Sequence, residues 1–189
     1  GERDIVFGFD PEVRVRLNLP HPWPTNKTVE LILYALPNGN TIEQSVGRRL
    51  QPGADWHFNI QHIGAQTRFL RNLISDRAVV VAYLEAATKS WPQWRKNYGD
   101  ARIPAIVQAV KQRLPNAPMR MVLTGHSGGG SFTFGYLNEV KSIPPEVERI
   151  AFLDSNYAYN RSNHLAKLLA WLKSPRGGRM CVLAYDDAN

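Results

Sequence analysis

The sequence predicts an α/β protein: one domain over residues 1–189, with a mostly parallel sheet flanked by helices. Three observations carry that expectation. Two apolar strand-length runs stand near the start. From residue 78 onward, short apolar runs alternate with segments of helical period. Proline, glycine and asparagine clusters fall between them, where connections are needed.

Residues 1–28 are polar and interrupted by proline, yet Val13, Val15, Leu17 and Leu19 alternate with Arg14, Arg16 and Asn18. That period of two is a half-buried strand. The run Pro20-His21-Pro22-Trp23-Pro24 forbids regular structure. Val29 to Leu36 is a second strand, stopped by the turn residues Pro37-Asn38-Gly39-Asn40. From Asp55 to Leu73 the spacing becomes helical, with Phe58, Ile60, Ile63, Phe69, Leu70 and Leu73 on one expected face. Ala78 to Leu84 is an unbroken apolar strand, suited to a sheet covered on both sides. Ile103 to Leu114 is an amphipathic helix with Pro104 in its first turn, followed by a strand from Met119 to Thr124. Ser131 to Val140 and His164 to Leu172 read as helices. Ile150 to Leu153 and Met180 to Tyr185 read as strands.

Hydrophobic residues are 43% of the chain and charged residues 21%, which suits a globular core and excludes a wholly disordered chain. The net charge of +7 invites a nucleic-acid reading. The basic residues are scattered, however, with Arg48-Arg49 and Arg95-Lys96 the only adjacent pairs, so a basic but ordinary surface is expected and no nucleic-acid partner. The single cysteine, Cys181, excludes an intramolecular disulfide and a multi-cysteine metal site. No ligand spacing of the His-Glu-x-x-His kind occurs, so neither metal nor cofactor is implied. No apolar stretch approaches the ~20 residues of a membrane span. The chain opens at Gly1 without a basic-then-apolar leader. The single cysteine leaves the compartment open, with a secreted location slightly ahead.

The chemistry is carried by Gly125-His126-Ser127-Gly128-Gly129, between a predicted strand and a predicted helix. It fits Gly-x-Ser-x-Gly, the nucleophile elbow. Turning from strand to helix within a few residues strains the serine backbone and lifts its hydroxyl above the sheet. Glycines are needed at the flanking positions because side chains there would strike the neighbouring strand and helix. The following helix aims its first amides at the place where negative charge develops. A glycine-rich turn that only packs, or that binds phosphate, is the competing reading. Neither nucleotide-binding glycine pattern is present.

With this elbow and this order of elements, the chain resembles an α/β-hydrolase of the esterase and lipase branch over essentially its whole length. The resemblance implies a serine hydrolase acting on a small-molecule ester or acylated substrate through a Ser-His-Asp triad and an acyl-enzyme. A peptidase or amidase on the same fold, or a non-catalytic binding protein, stands as the alternative. It implies Ser127 as nucleophile and an oxyanion hole made by the amide of Gly128 and by one from the loop after the second strand, with Gly39 and Asn40 as candidates. The acid is expected just after the last strand, at Asp187 or Asp186. Asp154, after the preceding strand, competes with them, and its other reading is a turn or capping carboxylate.

The histidine is where the chain departs from the family. It is expected beyond the acid, but the sequence ends at Asn189. Of the five histidines, His126 lies inside the elbow, His57 and His62 lie near the Asp55–Leu73 segment, His21 in the proline loop, and His164 where the family often inserts a lid. The expectation is therefore an N-terminal portion of the domain, completed by a C-terminal fragment or second polypeptide carrying the base. Around the site, Glu85, Lys89, Trp91 and Trp94 follow the third strand, and Tyr157 and Tyr159 follow Asp154. Trp91 and Tyr157 are candidates for touching substrate; packing beneath the loops is the competing role.

Overall fold

A computed structural model of the chain describes residues 1–185; residues 186–189, and with them Asp186 and Asp187, lie outside the described residues. Seven strands form one sheet: β1 (Glu2–Phe9), β2 (Val13–Pro20), β3 (Thr28–Ala35), β4 (Arg77–Ala86), β5 (Met119–His126), β6 (Val147–Leu153) and β7 (Arg179–Leu183). Their order across the sheet is β1-β2-β4-β3-β5-β6-β7. β1 and β2 pair antiparallel, as do β2 and β4, and every other pairing is parallel.

The period-two patterning sorts side chains onto two faces. Val13, Val15, Leu17 and Leu19 of β2 point to the same side as Leu31, Leu33, Val80, Ala82, Leu84, Met121 and Leu123. That face is covered by α3 (Trp91–Tyr98), α4 (Ile103–Lys111), α5 (Gly130–Glu139) and α6 (Arg161–Leu172), and forms the large core. The opposite face carries a smaller cluster, Tyr34, Leu36, Val81 and Tyr83, beneath Ile42 of α1 (Ile42–Val46) and Ile63 of α2 (Ile63–Leu73). The outward arginines of β2 face solvent and pair with acids, Arg16 with Asp4 at 2.6 Å.

Three parts of the fold depart from expectation. β1 falls in a stretch read as irregular; Ile5, Phe7 and Phe9 do alternate, and they pack half-buried against the large core. The helix expected from Asp55 is two pieces: a 3-10 turn over Trp56–Asn59, then α2. His62 between them is left-handed at φ 49°, which no continuous helix accommodates. The expected apolar face of that helix is only partly its buried face. Phe69 and Leu73 are exposed, and α2 packs through Ile63, Gly64 and Thr67, with Gly64 close against Val46. Finally, α1 and α3 were not expected at all. α1 is started by a capping box between Thr41 and Gln44, and α3 by Ser90.

Register decides where the loops meet. Ala35 lies opposite both Leu84 and Gly125, and Gly125 lies opposite Phe152. The segments that follow β3, β4, β5 and β6 therefore leave the sheet along one edge. β7 closes the described sheet on one side, and all five of its residues are exposed.

Candidate functional site

Ser127 stands at the turn from β5 into a 3-10 turn (Ser127–Gly129) that continues as α5. Its φ is +50°, in the left-handed region that a side chain adopts only where the surroundings force it. The surroundings do so through glycines. A Cβ on Gly125 would come within 2.8 Å of the Gly129 carbonyl carbon, and one on Gly129 would lie 2.1 Å from the Ala35 carbonyl oxygen. One on Gly130 would lie 1.8 Å from the Ser155 carbonyl oxygen. Ser155 is buried and its hydroxyl donates to the Gly125 carbonyl at 3.0 Å, so the segment after β6 is laced across the elbow. Arg95 of α3 donates to the Ser131 hydroxyl at 2.8 Å, which ties the first turn of α5 from the other side.

The loop after β3 lies against the elbow: the Asn38 side chain would be 2.1 Å from a Cβ on Gly128. Of its amides, that of Gly39 already donates to the Lys89 carbonyl at 2.8 Å, so the expectation that Gly39 offers a free donor is corrected. The Asn40 amide makes a long 3.4 Å contact to the Pro37 carbonyl, and Asn40 itself is buried. Among the described residues the Asn38 amide has no acceptor. The sequence offers no signal that singles out Asn38, because the claim on Gly39 comes from Lys89, distant in the chain. Gly128, the other expected donor, lies in the first 3-10 turn, where an N–H has no helical partner.

Asp154 stands at the end of β6 with φ +48°. Its amide donates to the Leu183 carbonyl at 2.5 Å, and its carboxylate accepts from the Tyr185 amide at 3.3 Å, so it fastens β6 to the end of β7. The expected acids Asp186 and Asp187 follow directly in sequence and lie outside the described residues.

None of the five histidines hydrogen-bonds Ser127 among the described residues. His126 Nδ1 meets the Gln61 side-chain amide at 3.1 Å; burial pushes its imidazole down, and nearby Asp154 acts the other way. His57 binds Asp55 and His62 binds Asn59. His164 is buried with both nitrogens engaged: Nδ1 accepts from the Asn160 amide at 2.9 Å, and Nε2 donates to Asn138 Oδ1 at 2.7 Å. Asn138 in turn donates to Asp100, which pairs with Arg95. His164 is thus part of the polar scaffold behind α5.

Burial, with Lys167 and Arg95 adding to it, holds His164 below the ordinary histidine range. The unfolded chain, titrating near pH 6.5, then takes up a proton before the folded one does. The stability this group contributes is complete above that pH and is lost as pH falls toward the depressed folded value. Urea unfolding at pH 7.5 and 5 is expected to show lower stability at pH 5. His164→Asn should flatten that slope while costing stability at both pH values; an unchanged slope would count against the buried neutral imidazole.

Trp91 is not available to substrate. It is 1% exposed, its indole nitrogen donates to the Leu84 carbonyl at 3.1 Å, and it packs edge-on against Trp94 and Phe132. Trp94 is equally buried, so both tryptophans are core residues that anchor α3. Glu85, also buried, accepts from the Ile42 amide at 2.7 Å and so caps α1. Tyr157 and Tyr159 are exposed on the segment after β6. Among the described residues no three His, Cys, Asp or Glu side chains are grouped to hold a metal, and no helix is long and apolar enough to cross a membrane.

No family model and no curated protein matches the chain. Solved structures do. LpqC, a poly(3-hydroxybutyrate) depolymerase from Bordetella parapertussis, superposes with a TM-score of 0.53 at 16% identity, over 97% of this chain and 65% of that one. The siderophore hydrolase EstB from Aspergillus nidulans gives 0.52 at 14% identity, over 100% of this chain and 73% of that one. The chain has the α/β-hydrolase fold. A thermostable esterase also matches, with a TM-score of 0.48 at 13% identity, over 99% of this chain and 55% of that one. The chain thus spans less than two thirds of the length of the thermostable esterase and of LpqC.

Proposed function

We propose that the chain is the nucleophile-bearing part of a serine hydrolase that cleaves carboxylic esters. The observation that carries this reading is Ser127 itself: a left-handed, non-glycine residue at a strand-to-helix turn walled by glycines. Nothing in the packing requires a serine in that strained position, so the hydroxyl is the reason to hold one there. That two solved structures of the same fold bear the names depolymerase and hydrolase agrees with it.

In this reading the Ser127 Oγ attacks the ester carbonyl carbon while a histidine takes its proton. The oxygen of the tetrahedral intermediate is held by the Gly128 amide and by the Asn38 amide, assisted by the first turn of α5. Each such donor is typically worth about 3 kcal/mol in the transition state. The histidine passes its proton to the departing alcohol, leaving an acyl group on Ser127, and water then releases the acid by the same route in reverse. Asp187 or Asp186 orients the histidine, with Asp154 as the competing acid. The histidine itself is carried by chain outside these 189 residues, because among the described residues no histidine hydrogen-bonds Ser127.

A fluorophosphonate probe on the full-length protein tests the reading. Labelling is expected at Ser127 and is expected to vanish in Ser127→Ala. An unlabelled Ser127, beside a reference serine hydrolase that reacts, would overturn it in favour of a binding protein that keeps the elbow for its shape.

A further inference from the structure

Resting on the ester-hydrolase reading, we propose that Trp56 is a specificity residue that stacks on an aromatic ring of the substrate. Of the five tryptophans, Trp91, Trp94 and Trp171 are buried and Trp23 is half-buried; Trp56 alone is exposed, at 64%. Leaving an indole in water forfeits a burial worth about 2–3 kcal/mol, so its position calls for a use.

The segment around Trp56 is built to hold it still. Asp55 accepts from the His57 amide at 3.0 Å and from the His57 ring at 2.5 Å, and Gln44 of α1 donates to Asp55 at 2.6 Å. These His57 contacts hold the Asp55 carboxyl at about 2. The Arg48 amide donates to the Phe58 carbonyl at 3.1 Å, and the Arg48 guanidinium lies 4.0 Å over the Phe58 ring. His57, fixed in this way, stacks on Trp56 with centroids 3.9 Å apart and planes 25° from parallel. One face of the indole is therefore backed by a second ring, and the other is left to solvent as a flat plate.

The segment that carries the plate is tied to the elbow. Five residues farther on, Gln61 donates to His126, the neighbour of Ser127, at 3.1 Å. The segment thus runs from the capped start of α1, just after the oxyanion loop, to the elbow. A flat, one-sided plate gains most from a planar ring, through offset stacking of about 0.5–1.5 kcal/mol beyond the area covered. An alkyl chain gains more from a groove that encloses it than from one flat face.

Rates on the full-length protein separate the two. For methyl phenylacetate against methyl hexanoate, with the ring on the acyl side, and benzyl acetate against pentyl acetate, with it on the alcohol side, Trp56→Ala should lower kcat/KM about fivefold for the ring ester of one pair. The loss should fall on KM, spare the alkyl partner, and be reversed by Trp56→Phe; the affected pair identifies which side of the ester stacks. Independently, phenylacetate or benzyl alcohol should change the emission of wild-type protein saturably, hexanoate should not, and Trp56→Phe should lose the signal. An equal loss on ring and alkyl esters, no loss, or no saturable signal from either phenylacetate or benzyl alcohol would overturn the proposal. Saturable binding of either without turnover of any ester would instead sink the hydrolase reading and leave the ring plate standing.

Discussion

Ser127→Gly and Ser127→Ala are both expected to abolish ester hydrolysis in the full-length protein, with kcat falling by on the order of 10^4-fold or more. They should differ in stability. At φ +50° an alanine keeps the Cβ that the left-handed region disfavours, and a glycine removes it. The left-handed penalty of about 1–2 kcal/mol is offset in part by the extra freedom glycine gives the unfolded chain. Ser127→Gly should therefore be more stable than Ser127→Ala by about 1 kcal/mol in denaturant titrations. The serine hydroxyl makes no hydrogen bond among the described residues, so Ser127→Ala itself should sit close to wild type. If alanine and glycine prove equally stable, the strain at the elbow is not real, and the argument for a functional serine loses its base.

The second large effect is on folding. Gly130→Ala places a methyl group 1.8 Å from the Ser155 carbonyl oxygen, and Gly129→Ala places one 2.1 Å from that of Ala35. Both obstacles are backbone. Ser155 is tied to Gly125 and Ala35 is locked between two strands, so neither can step aside as a side-chain end would. Each substitution should cost at least about 3 kcal/mol, seen as a lowered melting temperature or as insoluble protein. Gly53→Ala is the control for glycine replacement in general. Its φ of +77° carries strain but nothing lies within 4 Å, so it should cost only about 1 kcal/mol. Equal losses at Gly53 and Gly130 would show that backbone freedom, not steric contact, sets the requirement.

What could be read from the sequence follows how local each determinant is. The strands from Val13 onward and the helices α4, α5 and α6 declare themselves through spacing, and the elbow through a strand–turn–helix context confined to about a dozen residues. β1 carries the same alternation at Ile5, Phe7 and Phe9, but prolines and charges nearby obscured it. The Asp55–Leu73 stretch misled because its apolar residues have helical period while facing outward, as Phe69 and Leu73 do. Trp91 and Trp94 stand where site walls are built in the order of elements; only the packing of Trp91 on Phe132 and of Trp94 on Trp91 and Tyr98 shows that they are core. The loop after β3 was legible as the expected source of a second amide donor, but which of its amides is unclaimed was not. Which of three neighbouring N–H groups is unclaimed depends on Lys89, some fifty residues away in sequence, whose carbonyl takes the one on Gly39.

The two unequal clusters on the faces of the sheet divide labour. The large one, with the Arg95-Asp100-Asn138-His164 network, supports α5 and so Ser127. The small one, under α1 and α2, supports the segment that displays Trp56. On the proposed ester-hydrolase reading, residues 47–62 can therefore be exchanged or lengthened to suit a different ester without disturbing the serine proposed to break the bond. The sheet then acts as a partition between bond-breaking and choice of substrate.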